Sequence, residues 1–272
     1  MISLRSLGNI DRKIIFAALF LSVSIPLIFD FRLPNRITKE VRAVYDFIDR
    51  LPPESAVLVS FDHDTATLPE MSPMARALLR HLFNRRLRVI GLALRAEGSS
   101  IGNGLVHAVA AEYNLQEGMD YVFLGFRPEI TSAILGMGEN IARVFPKDFR
   151  GVPLDEIPLM QTVKNYRQIE LIISIADDDT PNYWINYANA RYHEAVVPAV
   201  TAVMATTYYP FLQEKQIIGM VPGLKAAAEY EQLIGRPGDA SVGMSAQSIA
   251  HLLILLLILI GNLSYLSARR RR

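Results

Sequence analysis

One C-terminal segment limits the possible folds of this chain more than any other feature. Residues 250–260 read AHLLILLLILI, and the apolar character continues to Leu266. An apolar segment of about 20 residues is long enough to cross the ~30 Å hydrocarbon core of a bilayer as a helix. Tyr265 stands at the exit, where amphipathic rings are common, and Ser245 is the predicted N-cap. The sequence therefore predicts a transmembrane helix over residues 247–266.

A second uncharged stretch lies near the N-terminus. Residues 14–29 read IIFAALFLSVSIPLIF and follow Arg12 and Lys13. At about 1.5 Å per residue, a helix of this length reaches roughly 24–27 Å, slightly less than the hydrocarbon core. The sequence DFRLPNR that follows lacks the small residues of a signal-peptide cleavage site. We therefore predict an uncleaved first transmembrane helix over residues 14–31.

The basic residues beside the two spans predict their orientation. Residues 267–272 form a basic tail that ends in four arginines, and the cytoplasmic flanks of membrane helices are enriched in Lys and Arg. The N-terminus is basic as well, although Arg32 and Arg36 after the first span reduce the charge difference across it. We expect a two-pass protein of the cell membrane with both termini in the cytoplasm and the intervening domain outside it. Its expected partner is the lipid bilayer.

Composition excludes several classes of function. Lys plus Arg is 28 against 27 for Asp plus Glu, so the chain lacks the basic field that nucleic-acid binding needs. No Cys is present, which excludes thiol catalysis, disulfides and Cys-ligated zinc. The five His residues show no zinc-binding spacing, and the Gly-x-Ser-x-Gly motif of serine hydrolases does not occur.

Between the spans, apolar runs of strand length alternate with helical patterns. The runs are continuous, as in strands that are covered on both faces, and the alternation predicts a parallel sheet with right-handed crossovers. We expect an α/β domain over residues 54–235. It is a doubly wound, mostly parallel five-stranded sheet, Rossmann-like or flavodoxin-like, flanked by N- and C-terminal transmembrane helices. The predicted strands are 56–61, 87–94, 121–126, 170–176 and 196–205, and the predicted helices are 74–83, 104–113, 129–137 and 181–192.

Two segments connect this domain to the spans. Residues 35–51 place apolar side chains on one helical face before Pro52 and Pro53, which predicts a stalk helix that packs on the domain. Residues 208–234 are apolar but interrupted by Pro and Gly, which predicts broken helices followed by a linker at 236–239.

Six stretches of this sequence carry a resemblance to a known group of proteins. They read LVSFDHD, RVIGLAL, DYVFLGF, VTAVMATTYYPFL, GLKAAAEYE and MSAQSIAHLLI. Together they resemble a family of uncharacterised bacterial membrane-anchored α/β proteins, and the resemblance covers nearly the whole chain. It implies the two-span layout and no activity or catalytic residue.

An acidic motif follows the first predicted strand, at the edge where parallel sheets bind ligands. Asp62, His63 and Asp64 resemble the D-x-D of haloacid-dehalogenase-like phosphohydrolases, which implies a Mg²⁺ site with Asp62 and Asp64 as catalytic carboxylates. Ala66 departs from that family, which usually has Thr or Val there, and no well-placed Lys follows. The alternative is that Asp62 and Asp64 accept hydrogen bonds from loop amides and the next helix.

A second acidic run, Asp177 to Asp179, follows the fourth predicted strand. Asp177 is a candidate to join Asp62 and Asp64 around a divalent cation, and Asp178 is a further candidate ligand-binding residue. The alternative is a helix start, with Thr180 or Asp179 as N-cap and acidic charge beside the positive end of the helix dipole.

Glycine-containing turns are predicted after strands two and three. The first, residues 97–104, offers backbone N–H groups to an anion, and Arg127 after the third strand offers positive charge. Neither turn has the dinucleotide-binding spacing G-x-G-x-x-G.

No motif supplies a complete catalytic set. The main hypothesis is therefore a membrane-tethered, non-catalytic α/β module that binds a ligand or assembles with other membrane proteins or with itself. The alternative is a Mg²⁺-dependent phosphoester hydrolase, in which Asp62 is nucleophile or metal ligand, Asp64 is acid and base, and Asp177 or Asp178 completes the cation site.

Overall fold

A computed structural model describes residues 11–29 and 32–269. Residues 30–31 of the predicted first span and 270–272 of the predicted tail lie outside the described residues. The chain forms two compact units. Asn35–Ala240 make up one unit, which holds the sheet, and the two terminal segments make up the other.

The sheet confirms the predicted α/β class and its parallel pairing. Its order is β3-β2-β1-β4-β5-β6, and each neighbouring pair is parallel. The chain therefore builds the sheet outward from β1 to β3 and returns to place β4 on the other side of β1. The strands are β1 (Ala56–Asp62), β2 (Arg88–Ala93), β3 (Tyr121–Phe126), β4 (Ile169–Ala176), β5 (Val196–Val200) and β6 (Val221–Pro222).

Two features of the far side of the sheet differ from the prediction. Within the described residues the sheet has six strands rather than five, because Val221 and Pro222, in the segment predicted as broken helices, pair with Ala199 and Val200 of β5. Two residues are too few to show a strand pattern. The fifth strand ends at Val200 and not at residue 205, because a 3₁₀ turn over Ala202–Met204 starts there.

Helices connect and flank the strands. The helix predicted at 74–83 begins earlier, at Leu68, and the helix after β4 has a π-helical middle over Trp184–Asn189. The α-helices of the sheet unit are α2 (Lys39–Arg50), α3 (Leu68–Asn84), α4 (Ala96–Glu112), α5 (Ile130–Glu139), α6 (Ile141–Val144), α7 (Pro158–Thr162), α8 (Thr180–Tyr183), α9 (Ala190–Tyr192), α10 (Ala205–Gln213) and α11 (Gly223–Leu233). In the other unit lies α1 (Arg12–Ile28), and α12 spans Asp239–Arg269.

Helices cover both faces of the sheet. Successive side chains of a strand point to opposite faces, so Leu58 and Phe61 of β1 face different layers. Leu58 belongs to the core cluster that includes Met137 of α5 and Trp184. Phe61 meets α4 instead, and both side chains are fully buried.

The glycine-rich stretch 97–104 is not a turn, as predicted, but the first turns of α4. Its glycines allow the helix to approach β1 closely. A Cβ at Gly98 would lie 1.8 Å from the carbonyl oxygen of Phe61, and one at Gly102 would lie 2.6 Å from the Phe61 ring. The glycines therefore serve helix–strand packing rather than a loop around an anion.

Helix α2 occupies the position of the predicted stalk and packs through buried Val41, Val44 and Ile48. Tyr45 stacks on His81 of α3 with ring centroids 4.5 Å apart. The Nδ1 of His81 lies 2.7 Å from the hydroxyl oxygen of Tyr230 in α11. One buried imidazole thus contacts side chains of two other helices.

Among the described residues, one helix is long and apolar enough to cross a membrane, over Asp239–Leu266. Helix α1 has 17 residues, so the structure shows a candidate for the C-terminal predicted span only. Ser245 is not an N-cap, because α12 starts six residues earlier and the Ser245 hydroxyl donates to the carbonyl of Ser241 inside the helix.

Candidate functional site

The register of the sheet brings the predicted acidic loops to one edge. Asp62 is paired with Ala176 of β4, and Ala176 is paired with Val200 of β5. The backbone N–H of Asp177 donates to the carbonyl of Asp62, 3.4 Å away, so the pairing continues one residue further. Neighbouring strands are about 4.8 Å apart. The loops after β1, β4 and β5 therefore meet at the carboxyl edge, where the strand order reverses.

Asp62 is fully buried, and both of its carboxylate oxygens are hydrogen-bonded. The backbone N–H of Leu94 donates to Oδ1 at 2.6 Å, and the hydroxyl of Ser60 donates to Oδ2. Burial raises the pKa of Asp62 to about 7, and the negative charge of Asp178 adds to the increase. The carboxyl group thus ties β1 to the end of β2 and is not presented to solvent.

Asp64 and Asp177 together fasten the start of α3. Oδ1 of Asp64 accepts hydrogen bonds from the backbone N–H groups of Ala66 at 2.7 Å and Thr67 at 3.3 Å. Oδ2 of Asp177 accepts the backbone N–H of Asp64 at 3.0 Å and the hydroxyl of Thr67 at 2.8 Å. These bonds match the part of the structural alternative in which the carboxylates accept hydrogen bonds from loop amides, because the three N–H donors precede Leu68, the first residue of α3.

Asp178 has two partners across the same edge. Its Oδ1 accepts the backbone N–H of Thr180 at 2.9 Å, and its Oδ2 pairs with the guanidinium of Arg95, two residues after the end of β2. This ion pair raises the pKa of Arg95. Asp179 is exposed, and its side chain makes no cap at the start of α8.

His63 is a buried imidazole with one free ring nitrogen. Its Nδ1 lies 3.4 Å from the carbonyl oxygen of Asp64, an acceptor, so this contact requires the proton on Nδ1. Burial lowers the pKa of His63, which favours the neutral ring. Nε2 is then an acceptor, and it has no hydrogen-bond partner in the described part of the chain.

Three buried hydroxyl groups beside these loops also lack partners among the described residues. They belong to Thr180, Thr201 and Tyr208, of which Thr201 is 6% exposed and the other two are fully buried. Buried polar atoms are nearly always hydrogen-bonded, so a group of unpartnered ones marks a place where a ligand or water is expected. The π-helix over Trp184–Asn189 directly follows α8, which begins at Thr180, and such helices are frequent at functional sites.

Sequence reasoning missed Arg95, Thr180 as an unpartnered hydroxyl, Thr201 and Tyr208. The rule that selected Asp62 and Asp177 could also have selected Arg95 and Thr201, because Thr201 comes directly after β5 and Arg95 comes two residues after β2. Tyr208 carried no such signal, since it lies in α10 and its burial depends on packing.

Arg127, the predicted source of positive charge, takes a different position. Its backbone N–H donates to the carbonyl of Ala93, and its guanidinium lies 5.5 Å from the ring centroid of Phe145. The contact is a cation–π interaction on the face covered by α5 and α6. The structure therefore gives Arg127 an aromatic partner rather than a place among the acidic loops.

The described residues contain no group of three or more His, Asp or Glu side chains that could hold a metal ion. Asp62, Asp64 and Asp177 share one edge, but their oxygens point to different hydrogen-bond donors. The geometry thus does not favour the Mg²⁺ site that the sequence motif implied.

A surface cavity of about 420 Å³ lies at the opposite, amino edge of the sheet, between the loops before β1, β2 and β3. It is lined by Arg88 and Glu54, which form an ion pair at 2.8 Å. The unpartnered buried groups described above lie at the carboxyl edge instead. We therefore regard the carboxyl edge as the candidate site.

No family model, curated protein or solved structure matches this chain. The features that bear on its function are therefore the geometry of the carboxyl edge and the apolar C-terminal helix.

Proposed function

We propose that the protein is a membrane-tethered, non-catalytic α/β module that binds a small ligand at the carboxyl edge of its sheet. One observation carries this proposal. Four buried polar groups, on His63, Thr180, Thr201 and Tyr208, lack hydrogen-bond partners in the described part of the chain and lie beside carboxylates that are already hydrogen-bonded. As far as the chain is described, the edge thus has unmet hydrogen-bonding capacity and no free catalytic carboxylate pair.

The strand order supports a Rossmann-like assignment. The order β3-β2-β1-β4-β5-β6 is that of the dinucleotide-binding folds, which hold their ligands where the order reverses. The flavodoxin-like alternative has a different order, 2-1-3-4-5. That architecture supports ligand binding at this edge, whereas no comparable observation in the described residues supports the assembly version of the hypothesis.

The membrane part of the proposal rests on α12. Leu252, Leu255 and Leu259 are each more than half exposed, and a run of this kind is stable in lipid rather than in water. We propose a second span formed by α1 and residues around it. Both termini then lie in the cytoplasm beside their basic residues, and the sheet unit lies outside.

The hydrolase alternative has less support. A nucleophilic carboxylate must reach phosphorus from a solvent-open position, but Asp62 is fully buried with both oxygens occupied. The candidate acid and base, Asp64, accepts hydrogen bonds from the loop N–H groups of Ala66 and Thr67 before α3 instead.

Membrane integration is tested by placing a charge in α12. Leu256→Arg should release the protein from membranes into the alkaline-carbonate supernatant or abolish its accumulation, because arginine at a helix centre costs about 2.5–3.5 kcal/mol. Leu256→Ala is the matched control and should stay in the membrane pellet. Wild-type protein that leaves the membrane in carbonate would refute the tether.

Orientation is tested with cysteine labelling, for which a chain without native Cys is well suited. Glu214→Cys, at an exposed position of the sheet unit, should react with an impermeant maleimide on intact cells. A cysteine appended after Arg272 should react only after the cells are opened. The reverse pattern would place the sheet unit in the cytoplasm.

A further inference from the structure

The charges at the carboxyl edge decide which ligands it can accept. Asp178 is neutralised by Arg95, but the side chains of Asp64, Asp177 and Asp179 form no ion pair within the described part of the chain. Their field reaches the unpartnered groups. Asp179 adds to the burial that raises the pKa of Tyr208, and Asp177 and Asp64 oppose the lowering of the His63 pKa by burial. The edge is therefore negative.

The loop N–H groups that could bind an anion at this edge already have acceptors within the described chain. In folds of this kind, phosphate binds the free N–H groups at the helix start after β1. In this protein Asp64 accepts the N–H groups of Ala66 and Thr67, and Asp178 accepts that of Thr180. The protein's own carboxylates thus occupy the places that a nucleotide phosphate would need.

The unpartnered groups are suited to a ligand that donates hydrogen bonds. Nε2 of neutral His63 can only accept. The hydroxyl oxygens of Thr180, Thr201 and Tyr208 can accept as well. An ammonium group has three N–H donors and one positive charge, so it satisfies such acceptors and neutralises nearby carboxylates together.

From these observations we infer that the edge between the loops after β1, β4 and β5 binds a small organic amine in its cationic form. Asp177 and Asp179 provide the opposing charge, and the hydroxyl of Tyr208 and Nε2 of His63 accept N–H groups. The inference rests on the ligand-binding part of the proposed function and specifies the class of ligand. A metal ion would need a set of three acidic or His ligands, which the described residues do not offer.

The test is titration calorimetry on the full chain in detergent micelles, with 1,4-diaminobutane as the probe. MgCl₂, inorganic phosphate and glucose serve as metal, anion and neutral comparisons. We expect saturable binding of the diamine and no comparable binding of the other three.

Two tyrosine variants locate the site. Tyr208→Phe removes a hydroxyl without a partner in the described protein, so it should keep the thermal stability and weaken diamine binding about tenfold, as expected for a lost hydrogen bond to a charged group. Tyr166→Phe removes a buried hydroxyl that donates to the carbonyl of Ile134 at 2.7 Å. It should lower the thermal stability and leave the diamine affinity unchanged.

Three outcomes would overturn the inference. They are no saturable diamine binding by folded wild-type protein, equal diamine affinity in wild type and Tyr208→Phe, and preferred binding of phosphate, glucose or Mg²⁺. Carbonate extraction of the same preparation distinguishes a failure of amine binding from a failure of membrane integration. A protein that stays in the membrane without binding the amine refutes only the ligand assignment.

Discussion

The carboxylate of Asp177 accepts the backbone N–H of Asp64, 3.0 Å away, across the line between β4 and β1. The two residues are 113 positions apart in the sequence, and their loops lead to helices on opposite faces of the sheet. The same oxygen also accepts the hydroxyl of Thr67. An acidic run that resembles a metal site thus acts as a cross-link between two loops.

Removing this cross-link should destabilise the fold. Asp177→Ala leaves the N–H of Asp64 without its acceptor, and we expect a loss of about 1–2 kcal/mol in the free energy of unfolding. Asp179→Ala is the matched control, because that carboxylate is exposed and caps no helix. Urea denaturation of the full chain in micelles measures both. Equal stabilities of the two variants would mean that the cross-link contributes nothing.

Two of the three glycines of α4, Gly98 and Gly104, should respond in opposite directions to alanine. Gly98→Ala places a Cβ 1.8 Å from the carbonyl oxygen of Phe61, so α4 must move away from the sheet and the loss should exceed about 3 kcal/mol. Gly104→Ala meets no atom within 4 Å and should stabilise the helix by up to about 1 kcal/mol. Thermal unfolding of both variants gives the comparison. A mild effect of Gly98→Ala would refute the close packing.

The strands could be predicted from the sequence, but the role of these glycines could not. The apolar runs placed β1 and β3 within one residue, because continuous burial leaves a direct pattern in the sequence. A glycine, however, looks the same in the sequence whether it forms a turn or lets a helix pack closely on a strand. Only the position of Phe61 in the fold distinguishes the two roles.

At the candidate site, too, the position of the residues could be predicted from the sequence but their role could not. Parallel-strand rules placed Asp62, Asp64, Asp177 and Asp178 at one edge, where the register brings them. Their hydrogen-bond partners depend on side-chain directions and on the start of α3, which lies at Leu68 rather than at the predicted residue 74. The role of the carboxylates could therefore not be derived from their order in the sequence.

Asp62 should make stability decrease as the pH rises. Its pKa is about 7 in the folded protein against 3.8 when exposed, so the folded state holds the proton more tightly. The stability that this proton supplies is complete below pH ~4 and is lost as the pH rises through ~7, with a size on the order of 4 kcal/mol. Asp62→Asn keeps an acceptor for the N–H of Leu94 and adds an N–H donor for the hydroxyl of Ser60. It should be more stable than wild type at pH 8.

Glu194 is the internal comparison for this measurement. It is buried, its pKa is also raised to about 7, and it lies before β5 at the other edge of the sheet. Glu194→Gln should therefore remove a separate part of the same pH dependence, and the double variant should remove both. Unfolding free energies from pH 4 to 8 test this. Identical slopes for Asp62→Asn and wild type would show that Asp62 is ionised throughout.

His81 should contribute a pH dependence of the opposite sign. Burial lowers its pKa to about 4 in the folded protein against 6.5 when exposed, so the unfolded chain binds the proton more readily. The stability that follows is complete above pH 6.5 and is lost as the pH falls through 4, by roughly 3 kcal/mol in total. His81→Phe retains an aromatic ring against Tyr45 but leaves the hydroxyl of Tyr230 unpaired, so it should be less stable than wild type at pH 7.

Because Asp62 and His81 act in overlapping pH ranges with opposite signs, their contributions to the free energy of unfolding partly cancel in wild type. The stability of His81→Phe should therefore fall as the pH rises from 4 to 6.5 more steeply than that of wild type. Parallel profiles for the two proteins would mean that the buried imidazole does not resist protonation, and that its contacts with α2 and α11 hold in either charge state.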